Sequence, residues 1–125
     1  MSVFHVWFST KKRAEALQDE RRDFVLQCFR NIAADNTIDL IEAEAQFDHV
    51  HLLLRATDKP ELSRFMMLLK GISSREVFLR EPELRLSMGS PVFWQKRYGY
   101  RLVPEDQIET VRRYIRTQLD RPLRH

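Results

Sequence analysis

The sequence predicts an α+β fold in which helices pack on an antiparallel sheet. Segments with a strand pattern alternate with segments whose apolar residues recur every three or four positions, and the order of elements is βαββαβα. The second and third strands follow each other closely, as in a hairpin, and not through the long crossover that a parallel pair needs. Helices combined with such strands are typical of the ferredoxin-like (RRM-like) architecture, with one face of the sheet covered.

Each element has its own signals along the chain. Asp35 and Asn36 mark the end of the first helix, and Pro60 suits the first turn of the second. Pro104, followed by two acids, opens the last helix. The predicted elements are strand 3–10, helix 13–34, strand 37–46, strand 48–56, helix 60–79, strand 92–103 and helix 105–119. We expect a single domain over residues 1–125, because this length is common for one domain and no linker or repeat interrupts it.

Composition narrows the class of protein. Lysine and arginine total 21 against 18 acids, giving a net charge of +3 and a pI near 9.3, so nucleic acid is a reasonable partner. Cys28 is the single cysteine and lies on the apolar stripe of the first helix, which predicts a reduced core residue. No apolar run is long enough to span a bilayer, and the N-terminus has no signal-peptide pattern. We therefore expect a cytoplasmic protein without membrane contact.

A pair of histidines is the first candidate for chemistry. His49 and His51 flank Val50 on a predicted central strand, so both rings project from one face of the sheet. Their ring nitrogens suit a divalent metal ion. The alternative is that the pair has no function, since His-x-His also occurs on ordinary strands. Asp48 is a candidate for orienting one of the histidines or a helix end.

The last helix presents a second candidate group. Tyr114 and Gln118 lie four residues apart and therefore on one edge of the helix, so a phenol and a carboxamide are presented together. They stand beside the apolar stripe formed by Ile108, Val111, Ile115 and Leu119. Alone, each could be an ordinary helix residue.

Four segments in this order resemble single-tyrosine HUH transposases, the enzymes of small single-strand insertion sequences and the related REP-associated tyrosine transposases. The similar segments are Phe4-His5-Val6-Trp7-Phe8-Ser9-Thr10-Lys11-Lys12-Arg13, His49-Val50-His51, Leu69-Lys70-Gly71-Ile72-Ser73-Ser74-Arg75 and Arg113-Tyr114-Ile115-Arg116-Thr117-Gln118. The resemblance covers nearly the whole chain. It also implies the ferredoxin-like fold, with the HUH motif on a central strand.

The resemblance implies a DNA transposase that cleaves and rejoins single-stranded DNA. Tyr114 would be the nucleophile and would form a 5′-phosphotyrosine. His49, His51 and Gln118 would hold Mg²⁺ or Mn²⁺, leaving open positions for a phosphate oxygen and water. The expected partners are single-stranded DNA, with hairpins at the element ends, and a second copy of the chain in a homodimer.

Basic and aromatic residues that could contact the DNA cluster in several segments. Trp94, Tyr98 and Tyr100 could stack on bases, although packing at a sheet edge explains the same pattern. The basic candidates for DNA binding are Lys11, Lys12, Arg13, Lys70, Arg75 and Arg97. His5 is expected to be structural.

Two other functions fit the same fold. The first is a domesticated or non-catalytic module that binds single-stranded nucleic acid. The second is a metal-dependent hydrolase in which the metal activates water and Tyr114 is structural. A covalent protein-DNA adduct would separate the transposase from both.

Overall fold

A computed structural model gives the structure of the chain and describes residues 1–117. The helices and strands are β1 (Ser2–Ser9), α1 (Asp19–Asp35), β2 (Leu40–Gln46), β3 (His49–Ala56), α2 (Lys59–Arg80), α3 (Leu84–Met88), β4 (Gly99–Val103) and α4 (Ile108–Thr117). Short 3-10 turns at Lys11–Arg13 and Glu105–Gln107 follow β1 and precede α4.

The four strands form one antiparallel sheet in the order β2-β3-β1-β4. β3 therefore lies inside the sheet, where it pairs with β1 on one side and β2 on the other. The prediction of an α+β, ferredoxin-like antiparallel sheet with the histidine pair on a central strand is confirmed.

Alternation along β1 and β3 separates the two faces of the sheet. Val50, Leu52 and Leu54 of β3 face α1 and α2 and join the main core. Leu53 faces the other way, into a smaller cluster with Val111 of α4. The sheet was expected to be covered on one face, but α4 also covers part of the second. The rest of that second face carries the polar site.

The start of α2 shows how local sequence fixes a boundary. The side chain of Asp58 accepts a hydrogen bond from the backbone N–H of Glu61 at 2.9 Å, and Pro60 occupies the first turn. The carboxylate of Glu61 in turn accepts from the backbone N–H of Thr57 at 2.8 Å. These bonds satisfy N–H groups that a helix start leaves without partners.

The predicted strand 92–103 is wrong in its first half, since β4 begins only at Gly99. The preceding segment makes only an isolated antiparallel bridge, between Thr10 and Trp94, and side chains of α2 bind its backbone as well. Ser74 Oγ accepts from the N–H of Phe93, and Lys70 Nζ donates to the carbonyls of Gln95 and Lys96 at 2.6 and 3.0 Å. The short helix α3 was not predicted.

The first helix also begins later than predicted, at Asp19 and not at residue 13. Lys12, Arg13 and Asp19 have positive φ angles, which a continuous helix does not allow. Leu17 instead exchanges two backbone hydrogen bonds with Phe47, of 2.8 and 3.0 Å. β2 likewise starts at Leu40, not residue 37, after a turn at Thr37 with positive φ.

Within residues 1–117, none of the helices has the length and apolar character needed to cross a membrane.

Candidate functional site

The candidate site lies on the face of the sheet opposite α1 and α2. Cross-strand pairing aligns Trp7 with His51 and Ser9 with His49, so side chains from β1 and β3 stand side by side on this face. His5, two residues before Trp7 on β1, projects from the same face. The imidazole rings of His49 and His51 have centroids 5.3 Å apart. Three histidines are thus brought together, one of which the sequence did not suggest as functional.

His49 is oriented by the carboxylate of Asp48. Its Nδ1 lies 3.2 Å from Asp48 Oδ1, while the other carboxylate oxygen accepts from Arg13 Nε at 2.8 Å. Burial acts to raise the pKa of Asp48, but the hydrogen bonds from Arg13 and His49 outweigh it and lower that pKa. Asp48 is therefore held as a carboxylate, which confirms its predicted place beside a histidine.

His51 is oriented by another histidine. His5 Nε2 lies 2.9 Å from His51 Nδ1, and Arg101 Nε donates to His5 Nδ1 at 3.1 Å. Burial, together with His5 and His49, lowers the pKa of His51 to about 3. Burial and the Arg101 charge lower the pKa of His5 to about 4. Both rings are neutral at pH 7, the form in which imidazole can bind a metal.

Tyr114 lines the same groove as His51. The groove has a volume of about 560 Å³, and the Tyr114 side chain is 49% exposed within it. Its walls are His5, Trp7, His51, Arg101, Gln107, Thr110, Val111 and Tyr114. The structure therefore brings together a phenol, an imidazole pair and a guanidinium from three strands and a helix.

Helix α4 is positioned by an apolar cluster and by ion pairs to Glu42. Val111 and Ile115 pack into the small cluster with Val3, Leu53 and Val103. Glu42 Oε2 of β2 accepts from Arg112 Nε at 3.2 Å and from Arg116 Nε at 2.9 Å. Tyr114 lies between these two arginines in the helix, so the ion pairs also fix the groove wall that it forms.

The ligand set for a metal is only partly described. His49 and His51 are adjacent, but residues 1–117 contain no group of three His, Cys, Asp or Glu side chains placed to hold a metal ion. Gln118, predicted as a ligand, lies outside the described residues. Glu44 pairs with His51 across the β2–β3 ladder, and burial raises its pKa. Two imidazoles with an amide oxygen suit a divalent ion that keeps open positions.

A second cavity collects several of the predicted DNA-binding residues. Lys11, Lys70 and Trp94 border a space of about 520 Å³ beyond the end of β1. Lys70 is half-buried, and burial lowers its pKa to about 8. Because its ammonium donates to two backbone carbonyls, Lys70 anchors the 95–96 segment beside this cavity.

Trp94 corrects the prediction that it stacks on bases. The ring is only 4% exposed, lies among Phe8, Phe29 and Phe93, and donates from Nε1 to Ser73 Oγ at 2.8 Å. A ring so enclosed offers no face to a base. Trp94 was predicted within strand 92–103, but the structure gives it only an isolated bridge to Thr10, and its ring packs in the core.

The other candidates are distributed over the surface. Arg75 and Arg97 are exposed, and Lys12 Nζ donates to the carbonyl of Gly89 at 3.0 Å. Tyr98 and Tyr100 lie half-buried against the main core, with ring centroids 6.1 Å apart. Since the main core lies on the α1 and α2 side of the sheet, these two tyrosines are separated from the histidines by the sheet.

The sequence analysis missed Trp7, His5 and Arg101 as parts of the site. Trp7 is 38% exposed in the groove, and its ring lies 5.2 Å from that of His5. The register of β1 against β3 and β4 would have identified all three, because it aligns Trp7 with His51 and His5 with Arg101. That register cannot be read from one strand alone.

Known proteins resemble this chain over nearly its whole length. The model of the family described as "Transposase IS200 like" matches residues 2–118. The chain is 33% identical over 118 residues to the ISDra2 transposase TnpA of Deinococcus radiodurans, covering 94% of this chain and 84% of that protein. It is 30% identical over 117 residues to the transposase for insertion sequence element IS200 of Salmonella typhimurium, covering 94% and 76%.

Solved structures give the same picture of the fold. A structure assigned as a transposase from Deinococcus radiodurans has a TM-score of 0.74 at 33% identity and covers 93% of this chain and 89% of its own. A REP-associated tyrosine transposase bound to a REP hairpin has a TM-score of 0.63 and covers 94% and 66%. At 11% identity, this second likeness supports the fold alone.

Proposed function

The chain belongs to the IS200-like transposase family, and from this premise we propose that it cleaves and rejoins single-stranded DNA through Tyr114. The observation that carries the proposal is the groove that the Tyr114 side chain lines together with His51 and Arg101. The phenol is exposed to a substrate, while α4 holds it on the sheet through Val111 and Ile115.

The proposed step is an in-line displacement at phosphorus. A bond forms between Tyr114 Oη and the phosphorus, and the bond from phosphorus to the 3′ oxygen breaks. The phenol loses its proton and the leaving oxygen gains one, which yields a 5′-phosphotyrosine and a 3′-hydroxyl. Attack by a 3′-hydroxyl on the phosphotyrosine reverses the step and rejoins the strand, so no nucleoside triphosphate is required.

We propose that His49, His51 and Gln118 hold a divalent ion, Mg²⁺ or Mn²⁺, beside the phenol. Such an ion supplies charge neutralisation at the non-bridging phosphate oxygens. The hydrogen bond between Asp48 and His49 Nδ1 supports the assignment, because a carboxylate on one imidazole nitrogen directs the other toward a metal. Arg101, exposed in the same groove, adds a positive charge for the phosphate.

Trp7 is the proposed stacking surface for a base next to the cleaved phosphate. The Trp7 ring is partly exposed and lines the groove beside the histidines, whereas Trp94 is enclosed in the core. Base stacking needs unpaired bases, so we propose single-stranded DNA, including the unpaired flank of a hairpin, as the substrate. We also propose that the protein forms a homodimer, which light scattering would test.

Covalent capture tests the nucleophile. Wild-type protein, incubated with labelled single-stranded DNA and Mn²⁺, should give a shifted band on a denaturing gel. Tyr114→Phe should abolish the band while DNA binding persists, because only the phenolic oxygen is lost. Tyr98→Phe and Tyr100→Phe are matched controls that should keep the band, since both rings lie on the other side of the sheet.

The gel also separates the alternatives. Cleavage without an adduct would show that activated water is the nucleophile, as in a metal-dependent hydrolase. Binding without cleavage under all metal conditions would indicate a non-catalytic module for single-stranded nucleic acid. An adduct that survives in Tyr114→Phe would move the nucleophile to another residue.

A further inference from the structure

The two histidines of the HUH pair have hydrogen-bond partners of opposite kind. Asp48 carries a carboxylate at 3.2 Å from His49 Nδ1, and a carboxylate can only accept. His49 Nδ1 must therefore donate, and in the neutral ring this places the hydrogen on Nδ1 and a lone pair on Nε2. His49 is in the tautomer that can bind a metal through Nε2.

The partners of His51 impose the other tautomer. A guanidinium N–H can only donate, so the bond from Arg101 Nε requires a lone pair on His5 Nδ1. The hydrogen of His5 then lies on Nε2 and points along the 2.9 Å contact to His51 Nδ1. His51 Nδ1 accepts it, and the hydrogen of the His51 ring is left on Nε2. With Nδ1 occupied by His5 and Nε2 protonated, His51 has no lone pair to offer a metal.

We propose that Arg101 and His5 form a hydrogen-bond relay that holds His51 in a tautomer unable to bind metal, and that metal binding requires Arg101 to leave His5. The part of this proposal that concerns metal binding rests on the proposed function. When Arg101 leaves, His5 can carry its hydrogen on Nδ1 and accept from His51 Nδ1 through Nε2. The proton lost from His51 Nε2 is matched by the one gained at His5 Nδ1, so the charge of the pair is unchanged. His5 and Arg101 are thus positioning residues for His51.

The chemistry of the groove identifies what withdraws Arg101. The Arg101 side chain is exposed and borders the groove that Tyr114 lines, so a phosphodiester bound in this groove would lie next to the guanidinium. A phosphate oxygen is a stronger acceptor for a guanidinium than a neutral imidazole, because the bond is charge-assisted on both sides. DNA binding would then prepare His51 as a ligand. By linkage, metal and DNA must each strengthen the binding of the other.

Metal-free protein provides the first test. The ¹⁵N chemical shifts of the histidine rings report which nitrogen carries the hydrogen. Wild-type His51 should show Nε2–H and His49 should show Nδ1–H. Arg101→Met should convert His51 partly or wholly to Nδ1–H. Arg112→Met is the matched control, since it removes a guanidinium from the same face of the protein, bound to Glu42, and should leave His51 unchanged.

Metal titration provides the second test. Calorimetry with Mn²⁺ should show affinity about tenfold higher in Arg101→Met than in Arg112→Met, a change in the range typical of groups that orient metal ligands. In a Tyr114→Phe background that prevents cleavage, a short single-stranded oligonucleotide should raise Mn²⁺ affinity with Arg101 present and not with Arg101→Met.

The outcomes distinguish this proposal from the proposed function. A His51 Nδ1–H tautomer in metal-free wild type, or equal Mn²⁺ affinity in the Arg101 and Arg112 variants, would overturn the relay while leaving the metal site standing. No Mn²⁺ binding in any variant would overturn the metal site and the coupling together.

Discussion

Replacing each of the two tryptophans separates the core of the protein from its proposed DNA surface. Trp94 is enclosed and hydrogen-bonded, whereas Trp7 is partly exposed in the groove. A buried tryptophan removes roughly 200 Å² of surface from water, worth about 5 kcal/mol at roughly 25 cal/mol per Å². Trp94→Ala should therefore lower the free energy of unfolding by about 3–5 kcal/mol, as is typical of large aromatic truncations.

Trp7→Ala should act mainly on binding. A base stacked on an aromatic ring contributes about 1–3 kcal/mol, so the dissociation constant for single-stranded DNA should rise about 5- to 150-fold. The loss of stability should be about 1 kcal/mol, because the ring is not enclosed. Urea denaturation followed by circular dichroism measures the first quantity, and fluorescence anisotropy of a labelled oligonucleotide measures the second at fixed salt.

Two results would contradict the assignment of Trp94 to the core and Trp7 to DNA binding. If Trp94→Ala keeps wild-type stability but loses DNA binding, then Trp94 is accessible and the enclosed ring is not the native arrangement. If Trp7→Ala binds DNA as wild type does, then no base stacks in the groove on that ring. Trp7→Phe is the control, since it retains an aromatic face and should bind more tightly than Trp7→Ala.

Three further predictions follow from the groove. Burial, with Arg101 for His5 and with His5 and His49 for His51, lowers the pKa of these rings to about 4 and about 3, below the unfolded value near 6.5. Their contribution to stability is therefore present above about pH 6.5 and is lost as pH falls. Allowing for solvent screening, chemical denaturation should show a decrease of about 2 kcal/mol between pH 6.5 and 5, roughly halved in His5→Phe; a flat profile would contradict it. In Gly99→Ala, the new methyl group would overlap Cε2 and Nε1 of Trp7, so the ring must shift. We expect a loss of about 1–3 kcal/mol in urea denaturation and weaker oligonucleotide binding, whereas an unchanged Trp7 environment in fluorescence would refute the close approach. Asp48→Asn replaces the carboxylate that holds His49 Nδ1, and calorimetry should show Mn²⁺ affinity reduced by about tenfold or more; wild-type affinity would mean that Asp48 does not orient the ligand.

The sheet was predictable because its signals are local. Alternation of apolar residues in β1 and β3 sets which side chains share a face, and Pro60 places the start of α2 to within a residue of its observed position. The errors occurred where groups distant in the chain hold the backbone, as at Leu17, which pairs with Phe47, and in the segment before β4. Ser73, Ser74 and Lys70 hold the segment before β4, and nothing within that segment identifies partners some twenty residues away.

The sequence indicated the candidate residues of the site but not the residues that form hydrogen bonds to them. His49 and His51 could be chosen by residue type and spacing and Tyr114 by the resemblance to the family, and the structure places Tyr114 and His51 on one groove. His5 and Arg101 became visible only through the register of three strands, because each bonds a partner far away in the chain. A single sequence is therefore least informative about the residues that form hydrogen bonds to the site residues.

The strands that carry the histidines and the helix that carries Tyr114 are held in the fold with unequal strength. The histidines belong to strands paired on both sides and backed by the main core. Tyr114 depends on α4, which is held by two buried apolar side chains and by arginine ion pairs to Glu42. The arginine side chains of these pairs are partly exposed, so salt weakens the pairs, and displacing α4 should cost less free energy than displacing β3. The proposed nucleophile therefore lies on the less firmly held side of the groove, and the proposed metal ligands lie on the more firmly held side, where fixed geometry matters most for a metal site.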